Sequence, residues 1–283
     1  MGAMDSYSKM LNTLAGSIGM ASLLRRFEEL KSSWDIVHDA HWGNSTNLAR
    51  WSRECDVREQ LGSCISISLE SLYSACYLIS ELKAVNTQYS VIRTAIEASS
   101  TGIWLCCTGT KNKMIFHSLK LAYRDNHNIM ETAQMFKEGN RELIANRSQT
   151  ERYLKDRQSR LKGYAHRDIS NFPKYTQIVK RSDEIVKRRK TYDAVRAWKL
   201  CSSLAHGSRD VMIGLSYTTP TGVSDDKTME VTASQNTLLS AACLNTAVEN
   251  CECLLSHYEQ ACSDSIDTCL LYTSDAADDM QCV

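Results

Sequence analysis

Proline is almost missing from this chain: Pro173 and Pro220 are the only two in 283 residues, and glycine, at 12, is sparse as well. Proline removes a backbone donor and clashes with the preceding turn, and glycine weakens a helix interior, so long stretches here carry nothing that breaks a helix. Ser, Leu and Ala are the commonest residues, and the expected fold class is all-α. Long apolar runs are lacking too. MASLL (20–24) and GIWLCC (102–107) fall far short of the roughly 18 to 20 residues that cross a bilayer, so no membrane partner is expected. The stretch 10–26 is too polar for a signal-peptide core, and its paired arginines follow the apolar part, which makes the expected compartment cytoplasmic. MGAMDS at the start fits a myristoylation pattern, but Gly-Ala-Met is equally a cloning scar, and the scar is the preferred reading.

Cys-x-x-Cys is absent although there are 12 cysteines. Most fall inside apolar helical patterns, which fits reduced, buried thiols behaving as small hydrophobes. Cys251 and Cys253 in CEC point apart on a helix, and His38 and His41 in HDAH have no identifiable third ligand, so no metal and no cofactor is expected. A Gly-rich phosphate loop, a Gly-x-Ser-x-Gly elbow and His-Glu-x-x-His are all missing, which leaves the motif-bearing enzyme classes unsupported.

What is present is helical periodicity. Apolar residues recur at three and four over 23–37, 57–82, 88–107, 113–137 and 238–262, with further helices around 170–181 and 183–206. The small residues Ala95, Ala98, Ser99, Ser100 and Gly102 make 88–107 the expected central helix. Residues 140–165 are polar nearly all round, a solvated helix or a mobile arm, and 211–233 reads as a short hairpin or a loop. The expected architecture is one domain over 1–268, a bundle of about six to eight helices.

Charge is unevenly spread. Residues 137–190 hold 16 Lys or Arg against 7 Asp or Glu, whereas 221–268 hold 8 acids and one lysine. A basic run gains affinity for nucleic acid by releasing counterions, so nucleic acid along 137–190 is one expected partner. Solvated or mutually facing charged segments are the weightier reading, and a second copy of the chain is the other partner carried forward.

Two candidate sites emerge. Arg93 and Glu97 lie four apart on an apolar helix and can pair there, as a structural ion pair or as the rim of a pocket. His206 stands at a helix end before Gly207, suited to capping or to a polar pocket with Arg196, Ser202, Ser203 and Arg209.

YSVIRTAIEASSTGIWL (89–105) together with AWKLCSSLAHGSRD (197–210) resembles an uncharacterised family of bacterial all-helical proteins, frequent in actinobacteria, over roughly 51–262. The resemblance carries no established activity, and the leading expectation is a helical protein that acts through ligand or partner binding. More distantly the arrangement is similar to the HEPN group of helical ribonucleases and toxins, whose hallmark is an arginine followed by a histidine at short spacing. Arg160 and His166 match that spacing literally, with Leu161 and Gly163 departing from the pattern. HEPN-like chemistry would be metal-independent RNA cleavage, with Arg93, Glu97 and His206 converging or with Arg160 and His166. Finally, CLLYTSDAADD (269–279) resembles a translated sequencing-library adapter, so 269–283 is expected to be read-through, and the net charge of the rest is +3 rather than 0.

Overall fold

A computed structural model describes residues 19–41, 48, 56–135, 140–186, 192–223 and 229–262. The fold is all-α with one short hairpin. Among the described residues there are nine helices: α1 (Met20–His41), α2 (Val57–Ser80), α3 (Thr87–Cys106), α4 (Lys111–Met135), α5 (Asn140–Ser159), α6 (Tyr175–Ile185), α7 (Ala194–Ala205), α8 (Arg209–Leu215) and α9 (Thr237–Cys262). Between α8 and α9, β1 (Tyr217–Val223) pairs antiparallel with β2 (Met229–Ser234), and the register shifts between Pro220 and Gly222. A proline is tolerated there because both strands of a two-stranded sheet are edges.

The chain groups into two compact units, each assembled from discontinuous segments. The first takes residues up to Ile36, Cys64–Ile103 and Tyr175–Leu255, and the second Val37–Ser63, Trp104–Lys174 and the segment from Ser256 onward.

In the first unit every residue from Leu239 to Cys251 is buried, making α9 more fully enclosed than α3, the expected central helix. Its polar residues hid this from a hydrophobicity count, yet four of them are satisfied inside. Asn250 Nδ2 donates to Ser100 Oγ at 2.9 Å, Thr246 Oγ1 to the Tyr192 carbonyl at 3.2 Å, Ser240 Oγ to the Tyr89 hydroxyl at 3.1 Å, and Asn245 Oδ1 accepts from Arg26 Nη1 at 2.5 Å. Hydrogen-bonded polar groups are the kind an interior accepts. The small residues of α3 do allow close approach: a Cβ on Gly102 would lie 2.6 Å from both methyls of Leu254.

Two expected elements are corrected. Residues 183–206 are not one helix, because α6 ends at Ile185 and α7 begins anew at Ala194. The new start is fixed by two carboxylates: Asp183 accepts from the Ala194 and Val195 amides at 2.7 and 3.1 Å, and Asp193 accepts from the Arg196 amide at 2.6 Å. These satisfy donors that a helix start leaves orphaned. Likewise the first part of 211–233 is helical, as α8, before the hairpin begins.

In the second unit α4 and α5 pack together. The polar segment expected as a helix or an arm is a helix to Ser159, anchored by Leu154 and Gln158, each 5 % exposed. His41's side chain and residues 263–283, including the adapter-like tail, lie outside the described residues.

Candidate functional site

In the first unit, α3 and α7 meet at three points. The turn before α3 supplies Asn86, whose Nδ2 donates to the Leu204 carbonyl at 2.8 Å and so occupies one of the orphan carbonyls at the end of α7. Nearly two turns into α3, Arg93 donates from Nε to Glu97 Oε1 at 2.9 Å. The same oxygen accepts the indole N–H of Trp198 from α7 at 2.7 Å, and the Arg93 guanidinium lies 5.7 Å from the Trp198 ring centre. The ion pair is 27 % and 20 % exposed on its two sides, enough desolvation for the pairing to hold geometry and not merely decorate a surface.

The end of α7 delivers His206. Gly207 has φ +69°, its amide bonds the Leu204 carbonyl at 3.0 Å, and the Ser208 amide bonds the Ser203 carbonyl at 3.3 Å. This paired closure is the Schellman pattern, which needs a left-handed residue after the cap. His206 is therefore the cap residue, its amide bonded to Ser202 O at 3.0 Å and its ring exposed, with Nε2 3.5 Å from Arg93 Nη1. Arg93 can only donate, so the contact is a hydrogen bond when His206 Nε2 carries no proton and accepts.

The structure thus brings together Arg93, Glu97 and His206 and adds Trp198. Trp198 stands in the motif quoted above, but its partner is 101 positions away and no local signal names it. The polar neighbours do not join them: Ser203 Oγ donates to the Lys199 carbonyl, Arg196 pairs with Asp193, and Arg209 is an exposed residue opening α8. Cys201, five residues before His206, is fully buried. Burial first, then the adjoining Cys243 thiol, holds its thiol well above the ordinary range, with Arg93 pulling the other way.

Chemically, a guanidinium held in place by a carboxylate stands beside an exposed imidazole. Glu97 engages Nε and leaves Nη protons for a guest, and a protonated His206 would add a second donor to the same anion.

Arg160 and His166 belong to the second unit and to no common helix, since α5 ends at Ser159 and Gly163 takes φ +85°. Both line an open cleft of about 470 Å³ with Lys162 and Arg167, and Arg160 is paired with Asp156 at 2.5 Å. No group of three His, Cys, Asp or Glu side chains suited to a metal ion occurs among the described residues. Compared with protein families, with curated proteins and with solved structures, the chain matches none of them.

Proposed function

We propose that this is a cytoplasmic ligand-binding protein whose Arg93–His206 pair takes a small phosphate-bearing anion. The observation that carries the reading is the 3.5 Å approach of an exposed histidine to an arginine already oriented by Glu97 and Trp198. A buried histidine engaged only with backbone would have argued for capping alone. The compartment is supported by the nine described cysteines, all free thiols, as a reducing environment keeps them. No helix among the described residues is long and apolar enough to cross a membrane.

The same approach favours a second reading, metal-independent RNA cleavage of the HEPN kind. His206 would take the proton of a ribose 2′-hydroxyl, whose oxygen attacks the adjacent phosphorus while the P–O5′ bond breaks and the leaving 5′-oxygen takes a proton from water. Arg93 would stabilise the charge gathering on the phosphoryl oxygens. Incubation of labelled RNA in EDTA with wild type, His206→Ala and His166→Ala separates the two. The binding reading expects intact RNA in every lane, together with inorganic phosphate binding that Arg93→Ala weakens tenfold or more. Cleavage by wild type that His206→Ala abolishes would install the nuclease, and phosphate binding indifferent to Arg93 would remove both.

A further inference from the structure

The second unit carries another cationic feature, independent of Arg93 and His206. The turns after α5 are held from beneath by side chains. Gln158, buried, donates from Nε2 to the Tyr164 carbonyl at 2.9 Å and to the Arg167 carbonyl, and Asn112 Nδ2 donates to the Lys162 carbonyl at 3.3 Å. Leu161 and Ile169, 6 % and 4 % exposed, pin the segment at both sides. Backbone bonds from Leu161 to Gln158, Tyr164 to Leu161 and Arg167 to Tyr164 complete a fixed scaffold. Preorganisation matters because a fixed loop loses little freedom when a ligand arrives.

That scaffold directs Arg160, Lys162, His166 and Arg167 to one open cleft of about 470 Å³. The carboxylate nearest in the ion-pair pattern, Asp156, is engaged with Arg160, and Asp168 is engaged with the Ser170 amide and hydroxyl at 2.8 and 2.7 Å. Gly163 leaves open space at the rim, with nothing within 4 Å of where a Cβ would stand. Leading into the cleft, Tyr153 and Arg157 fall four apart on one face of α5, and Arg160 follows in the turn directly after the helix ends. Tyr153 is 48 % exposed, and the Arg157 guanidinium lies 5.1 Å from its ring centre.

We propose that this face and cleft bind single-stranded nucleic acid, phosphates lying on Arg157, Arg160, Lys162 and Arg167 and a base stacking on Tyr153. An aromatic ring beside a run of guanidiniums is the combination that single strands use, whereas an acidic peptide has no planar face to stack and a duplex hides its own. His166 lines the same cleft.

Fluorescence anisotropy with a labelled oligouridine RNA and the full chain in EDTA tests this. Arg160→Ala/Lys162→Ala/Arg167→Ala is expected to weaken binding tenfold or more and to flatten the salt dependence by about two phosphates' worth of slope. Tyr153→Ala is expected to weaken it about fivefold or more, the loss of one stacked base. All four side chains are exposed, and an unchanged thermal melt will verify that the variants fold. A charge-matched control, Lys31→Ala/Lys83→Ala/Lys199→Ala, should bind as wild type. Equal weakening by that control, wild-type binding by the cleft variant, or competition by polyglutamate as effective as by unlabelled RNA would each overturn the proposal.

Discussion

Glu97 Oε1 receives two donors at once, the Arg93 Nε–H and the Trp198 Nε1–H. Removing it strands both, so Glu97→Ala should cost about 1–3 kcal/mol, the penalty for leaving half-buried polar groups unpaired. Trp198→Phe keeps an aromatic ring near Arg93 and loses one donor, and about 1 kcal/mol is expected. Urea denaturation of both variants checks the order: a loss in Trp198→Phe as large as in Glu97→Ala would mean that the indole is held by packing alone. At this scale the Arg93–Glu97 pair was legible, because four-residue spacing on a helix is a local fact. Trp198 was not, because its acceptor comes from a distant helix and the sequence carries no record of which face of α7 turns toward α3.

Helix ends decide where His206 stands. The lone glycine after the last periodic residue announced the end of α7, and the positive φ of Gly207 is the physical reason that glycine is there. Gly207→Ala should cost about 1 kcal/mol through the left-handed backbone. Its more telling effect is faster amide exchange at Ser208, whose bond to the Ser203 carbonyl closes the helix; unchanged exchange would separate the closure from the glycine. The start of α7 was harder to read. Residues 183–206 keep a helical pattern throughout, and the interruption is carried by carboxylates acting across the break, Asp183 on Ala194 and Val195. The burial of α9 was obscured for a related reason: Asn245, Thr246 and Asn250 look like surface residues until their interior partners are known.

For the molecule as a whole, composition foretold the all-α fold because the near-absence of proline acts everywhere along the chain. Tertiary placement of charge was not foretold, since a count over a segment says nothing of which face receives it. Thiols supply a test at this scale. Burial pushes Cys76 and Cys262 up to about 11 and Cys251 up to about 12. A raised thiol means that the folded state favours the neutral form. Stability is therefore full below the free thiol's ordinary value, about 8.5, and falls as pH rises from there through the folded values. Urea midpoints should be flat between neutrality and about pH 8 and decline above about pH 9, and native protein should react with a thiol reagent at the half-buried Cys107 and Cys253 before any other described cysteine. Early labelling of Cys251 would contradict that burial.

The central claim is that Arg93 and His206 form one anion site, and the His206 imidazole is the most direct reporter of it. Followed by NMR while inorganic phosphate is added, its ring resonances should shift and saturate in wild type, and the shift should disappear in Arg93→Ala while the fold is retained. Ring resonances of His206 that stay still as phosphate is added, or that move equally without Arg93, would contradict the account.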